Sequence, residues 1–244
     1  VAFKLKEDLS GVQRKGNTYI VSWTTTPWTL PGNVALAINP KIDYVRVESH
    51  KRELEYFVVA KDKLEELKTV IPVLDYSHEP VKVTPKELIG KSYEPLFDIT
   101  RTGADWTRNG AEKKAYKVYA ADFVTTTEGT GVVHTAVMYG EEDYKLGVRM
   151  GLPQQHTVDV AGKFTKDVNG FAGLYVKDKK TEEKIINYLK TKNYYLKTES
   201  YTHEYPHCWR CSTPLLYYAR SSWFVAMAKL KKELLKNNET INWI

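Results

Sequence analysis

The chain has 244 residues, 42% hydrophobic and 27% charged, a globular balance that can bury a substantial core and excludes a disordered or low-complexity protein. Lys plus Arg outnumber Asp plus Glu by 36 to 30, and the net charge of +6 favours an anionic partner, nucleic acid first. Two cysteines, both in Cys208-Trp209-Arg210-Cys211, argue against a disulfide scaffold and for a reducing, cytoplasmic setting, and no apolar run reaches bilayer length, so no membrane partner is expected.

In chain order, Val1 to Lys6 is a period-2 strand pattern met in mid-course, and Ile241 to Ile244 stops on an apolar segment. Both ends read as cuts in something larger. Alternating or apolar runs predict strands at 3–6, 17–22, 34–38, 44–48, 56–60, 116–124, 131–135 and 156–160. Helical patterns are fewer: Lys61 to Lys68, a short one after the capping signal Thr84-Pro85-Lys86-Glu87, Glu141 to Met150 closed by Gly151, and Lys177 to Lys192. The lysines of the last helix read as a solvated face. The fold class expected is α+β, a β-rich and barrel-like domain with peripheral helices over 1–200. Residues 201–244, with the Cys-x-x-Cys and a basic amphipathic helix from Lys229 to Lys236, form a return limb.

Two stretches carry most of the information. Trp23-Thr24-Thr25-Thr26-Pro27-Trp28-Thr29-Leu30-Pro31-Gly32-Asn33 lies between two apolar runs, and its prolines stiffen a loop that displays four hydroxyls and two indoles. The same threonines suit a structural turn equally well. Gly129-Thr130-Gly131-Val132-Val133-His134-Thr135 leads through Ala136-Val137-Met138-Tyr139-Gly140 into a helix opening with Glu141, Glu142 and Asp143. Acids there complement the helix dipole, and a histidine at a strand end is commonly a packing residue. No nucleophile elbow, phosphate loop or H-E-x-x-H is present. Cys208 and Cys211 make only half of a four-ligand zinc site, for which His203 and His207 are local candidates.

In combination these residues resemble the editing (CP1) domain of class I aminoacyl-tRNA synthetases with branched aliphatic substrates. Trp23 to Asn33 is similar to the threonine-rich peptide of that domain, and Gly129 to Tyr144 to its second signature. His134 with the Gly-x-x-Asp-Tyr ending, Tyr205 to Cys211 and Trp223-Phe224-Val225 resemble the isoleucyl branch. Two departures stand out: Val137 replaces a usual proline, and the adenylate-forming motifs H-I-G-H and K-M-S-K-S are absent.

The resemblance implies hydrolysis of valine misattached to the isoleucine tRNA, with the acceptor end of that tRNA and the rest of the synthetase as partners. A missing methylene is worth only about 1–3 kcal/mol, a figure that isoleucyl enzymes themselves illustrate and that is not obtained from this chain. A second, smaller pocket reverses the test. By family match Asp143 receives the α-ammonium, with Glu142 its competitor. Thr24, Thr25, Thr26 and Asn33 supply hydrogen bonds to ester and adenosine, Trp28 lines the substrate, and His134 is the wall against isoleucine. No cofactor is expected for hydrolysis, and zinc on Cys208 and Cys211 is expected to need ligands from outside the chain. The competing readings are a non-catalytic tRNA- or amino-acid-binding module, valyl-type editing of threonine, and a zinc-ribbon protein.

Overall fold

A computed structural model describes residues 1–9, 16–74, 78–101, 103–202 and 204–243. The first sheet is built from β1 (Ala2–Lys4), β2 (Asn17–Val21), β4 (Tyr44–Glu48), β5 (Glu55–Ala60) and β6 (Val81–Val83), in the order β1-β2-β5-β4-β6. The second holds β3 (Ala35–Ile38), β7 (Lys117–Ala120) and β8 (Val132–Thr135), in the order β7-β3-β8. Pairing is antiparallel except for β2 on β5 and β3 on β7, which are parallel.

Both faces of the larger sheet are covered, and the period-2 pattern shows how. Tyr19, Val21, Phe57 and Val59 face one way, with Leu64 and Leu67 of α1 (Leu64–Val70) and Ile71 packed on them. Ile20, Val58 and Ala60 face the other way, into the main core. The smaller sheet repeats the arrangement. Leu36 and Ile38 join the main core, while Ala37 packs towards Leu146 of α5 (Glu141–Met150). Thus β3, buried at every residue, reads in sequence as an unbroken apolar run.

Of the remaining helices, α2 (Pro85–Leu88) starts at the expected box, with the Thr84 N–H and hydroxyl both donating to Glu87 Oε2 at 2.7 Å. Two four-residue helices, α3 (Ala104–Thr107) and α4 (Ala111–Lys114), were not legible in the sequence. The expected lysine-rich helix is α6 (Lys179–Thr191), capped by Asp178, with Ile185 and Leu189 buried and its lysines in solvent. In the return limb Leu216 and Tyr218 pack on the core, whereas α7 (Met227–Glu239) is exposed throughout.

The barrel expectation is corrected: the described strands form two open sheets. Single bridges join them, Leu5 to Tyr93, Ser92 to Lys117 and Trp23 to Val133. The segments at both seams reach a proline within a few residues, Pro27 after Trp23 and Pro95 after Tyr93, and proline has no N–H to extend a ladder. The strand expected at 156–160 is also corrected. The N–H groups of Thr157 and Val158 donate to Tyr139 Oη at 2.6 and 2.8 Å, and only Val158 bridges, to Phe164.

Val137 finds its place against α5. It is 1% exposed, and a Cβ added to Gly147 would lie 2.5 Å from its Cγ1. Alanine favours a helix interior over glycine by about 1 kcal/mol, but overpacking a stiff β-branched side chain costs about 1–3 kcal/mol. Gly147→Ala is therefore expected to lower the urea midpoint, and the added change Val137→Ala to restore it. An unchanged midpoint in the single variant would show that the contact yields freely.

Candidate functional site

The threonine-rich stretch folds as a 3-10 turn over Pro27–Gly32, entered by Thr24 to Thr26. Proline at the first position suits a helical start, and Thr29 Oγ1 closes the turn by donating to the Thr26 carbonyl at 2.8 Å. Thr24 Oγ1 accepts the Thr26 N–H at 3.0 Å and lies 3.3 Å from Thr26 Oγ1, which in turn lies 3.5 Å from Thr29 Oγ1. Thr24 and Thr26 are half-buried, Thr25 is exposed and Thr29 is buried. A row of hydroxyls therefore runs from the surface inward.

Its inner end meets the second stretch. Thr29 Oγ1 lies 3.1 Å from His134 Nε2 across 105 residues of chain. The threonine proton is already committed to the Thr26 carbonyl, so the histidine donates from Nε2 and its Nδ1 is the acceptor. That Nδ1 is buried and has no partner among the described residues. Burial lowers the pKa of His134 to about 4, so the ring is neutral at physiological pH. Further links hold the stretches together. Trp23 pairs with Val133, Ser22 Oγ donates to the Val132 carbonyl at 2.9 Å, and Gly129, at φ +71°, leaves room for the Trp23 indole where a Cβ would lie 1.8 Å from Nε1.

Asp143 stands in the first turn of α5, half-buried. Its Oδ2 accepts the Ala136 N–H at 2.9 Å, tying the helix to the end of β8. Desolvation raises its pKa to about 6, opposed by that hydrogen bond and helped by Glu142. Because the folded-state value lies above the ordinary 3.8, ionisation costs the fold stability as pH rises from about 4 to about 6. A bound cation would offset that cost. Glu142 is exposed and pairs with Lys145 at 2.8 Å, so it is already engaged.

The other expected residues sit differently. Asn33 is 3% exposed and its amide is spent on the fold: Nδ2 donates to the carbonyls of Ala35 at 2.9 Å and Thr135 at 3.5 Å, and Oδ1 accepts the Tyr93 hydroxyl at 2.6 Å. Its amide thus joins the threonine turn to β3, β8 and Tyr93. Trp28 is buried against Tyr139, rings 5.3 Å apart, with Nε1 lacking a partner among the described residues. Cys208 and Cys211 are free thiols at a hairpin turn bridged by His207 and Pro214, with Cys211 Sγ 3.0 Å from Thr213 Oγ1. His203 lies outside the described residues. Among the described residues no group of three metal-ligating side chains comes together.

Sequence reasoning left unassigned the role of Thr29, the one threonine that reaches His134, and the strap formed by the return limb. There Ala219 N–H donates to the Met138 carbonyl at 2.8 Å, within the loop between His134 and Asp143, and Tyr218 stacks on His156 at 4.2 Å. Neither contact leaves a local sequence signal.

No family profile matches the chain. It is 46% identical over 233 residues to an isoleucine–tRNA ligase of Clostridium novyi, covering 95% of this chain and 20% of the relative. To an isoleucine–tRNA ligase of Bacillus thuringiensis it is 40% identical over 247 residues, covering 99% of this chain and 22% of the relative. The chain thus spans about one fifth of the length of the curated relatives it matches. In fold it is similar to the crystal structure of GlLeuRS-CP1, with a TM-score of 0.56 and 12% identity over 82% of this chain and 98% of the other. The editing domain of the cytosolic leucyl-tRNA synthetase of P. knowlesi matches with a TM-score of 0.54 and 11% identity, over 90% and 95%.

Proposed function

Because the chain is homologous to a one-fifth segment of the isoleucine–tRNA ligases, and so belongs with that family, we propose that it is an editing hydrolase that removes valine misattached to the isoleucine tRNA. The observation that carries this reading is that His134 and Asp143 are fixed at the two ends of one short loop, with the hydroxyl row bonded to His134. At neutral pH these groups present one carboxylate and a neutral ring. That suits a ligand bearing an α-ammonium beside an apolar side chain. Of the seven buried side-chain polar atoms without partners among the described residues, three, His134 Nδ1, Thr135 Oγ1 and Trp28 Nε1, belong to the same motifs. Such atoms call for a water or ligand group.

In this mechanism Asp143 takes the α-ammonium and fixes where the ester carbonyl lies. Threonine hydroxyls of the turn orient the attacking water and donate to the oxyanion. The tetrahedral intermediate then breaks its bond to the ribose oxygen, freeing valine and leaving the tRNA hydroxyl. An aminoacyl ester is activated enough that positioning and oxyanion stabilisation suffice. His134, held by Thr29, is the wall that rejects the larger side chain. Lysines and arginines hold the tRNA acceptor end through its phosphates.

Deacylation of Val-tRNA(Ile) by the chain is the direct test. Asp143→Asn keeps an acceptor for the Ala136 N–H and loses the charge, so it should fold and lose hydrolysis by roughly a hundredfold or more, the scale of one buried charge partner. Activity of the parent should rise with pH through about 6, where Asp143 ionises. A folded, fully active Asp143→Asn variant would move the ammonium site elsewhere, and a chain that binds the tRNA without turnover would be a binding module.

His134→Ala should enlarge the pocket and admit isoleucine, so that correctly charged Ile-tRNA(Ile) is hydrolysed by the variant and spared by the parent. Continued protection of Ile-tRNA would leave His134 as a packing residue.

Cys208 and Cys211 offer two thiolates, and a structural zinc needs four ligands, so the others come from residues beyond this pair's hairpin. When bound, zinc supplies only rigidity to the turn. Hydrolysis should be the same before and after chelation, and a chelation-dependent loss would tie the metal to the chemistry.

A further inference from the structure

A cavity of about 460 Å³ lies apart from the residues of the hydroxyl row, between the start of β7, the α3–α4 segment and the bridge at Ser92. Its lining holds Lys6, Arg101, Lys113 and Lys117 against a single acid, Glu112. Among the described residues none of these four cations forms an ion pair, while Glu94 is paired with Lys4 and Glu7 with Lys91. Four cations from separate segments, left unneutralised around one concavity, repel one another unless an anion joins them.

The arginine is set for a planar, multidentate anion. Its guanidinium lies 5.7 Å over the Trp106 ring and 4.9 Å over the Tyr116 ring, so its flexible stem is held between two aromatic faces. Tyr116 is itself held at φ +57°, an uncommon conformation for an aromatic residue. It is kept there by its N–H to the Val34 carbonyl at 2.6 Å and by its carbonyl, which accepts the Tyr93 N–H at 2.9 Å. Strain of this kind persists where the surroundings over-determine it, and it accompanies ligand sites more than plain packing. The volume falls in the range of small-ligand and nucleotide pockets.

We propose that this cavity is a phosphate site that grips the RNA backbone of the tRNA away from its acceptor end. The identity of the RNA rests on the editing reading above; the phosphate chemistry does not. Arg101 provides the fork for two phosphate oxygens, and Lys6, Lys113 and Lys117 the surrounding charge. Asn33 and Val34 link this wall to the threonine turn through Tyr93 and Tyr116, so an RNA held here enters a body that also fixes the site.

The experiment measures binding of deacylated tRNA(Ile) to the 244-residue chain over a salt series, with hydrolysis of a minimal substrate, 3′-O-valyl adenosine, in parallel. Arg101→Ala with Lys113→Ala should weaken tRNA binding and lower the salt slope by about two, one per lost phosphate contact. The same double variant should hydrolyse the minimal substrate at the parent rate. Arg101→Lys with Lys113→Arg should keep most of the slope. An unchanged slope in a folded double alanine variant would overturn the proposal. So would an equal loss on replacing Lys179 and Lys180 of α6, which would reduce the effect to general charge. Saturation by inorganic phosphate with no competition from tRNA would show a small-anion site and overturn the RNA assignment. Failure of the parent on valyl adenosine would instead count against the editing reading while leaving the binding result to stand.

Discussion

The candidate site depends on one buried side chain, the amide of Asn33. Asn33 closes the threonine turn, and its amide binds the carbonyls of Ala35 and Thr135 and the hydroxyl of Tyr93. Ala35 begins β3, Thr135 ends β8 and Tyr93 lies on the seam between the sheets, so one amide fixes the turn against three separate segments. A buried amide costs little only when all its groups are paired, and here each has a partner. Replacing it with an apolar residue would strand the Tyr93 hydroxyl, which is fully buried. The Pro31-Gly32-Asn33 end of the signature is thus a matter of construction, and its Thr24 to Thr29 end a matter of presentation.

That construction accounts for the charge state of the site. Burial acts on His134 and Asp143 through the same desolvation cost, and because one is a base and the other an acid the outcomes are opposite in sign. Histidine is driven below the physiological range and remains neutral; the carboxyl is drawn up to about 6 and is still mostly ionised at neutral pH. The stretch from His134 to Asp143 thus carries a neutral ring at one end and a partly desolvated carboxylate at the other.

How much of this could be read from the chain differs by the kind of signal. Local signals held: the Thr84 and Glu87 box opens α2, and the pattern from Glu141 to Met150 gave α5 with its bounds unchanged. Short apolar runs were strands where a neighbour strand took their N–H groups. The run at 156–160 was not, because a tyrosine hydroxyl from eighteen residues earlier took two of them. The helices α3 and α4 are too short to show a period, and left-handed residues at Asn109 and Gly110 break the pattern between them. Barrel closure was a global expectation, undone by prolines at the seams. Of the candidate site, the run from His134 to Asp143 was visible as one stretch of sequence. The approach of Thr29 to His134 and the bond between Asn33 and Tyr93 were not, since each joins residues dozens of positions apart.

The parallel pairing of β3 with β7 and its antiparallel pairing with β8 have a consequence for the chain as it is made. The register joins Leu36 to Val118 and to His134, so the most buried strand of the smaller sheet waits for partners about eighty and about a hundred residues later. At a synthesis rate of about 5–20 residues per second, that delay is on the order of 5–20 s, during which an apolar Ala-Leu-Ala-Ile strand has no neighbour to cover it. Long-range pairings of this sort also slow the search for the native topology. The nascent segment therefore carries its apolar surface uncovered through that interval, next to a turn whose prolines at 27 and 31 have no N–H to donate to a passing strand.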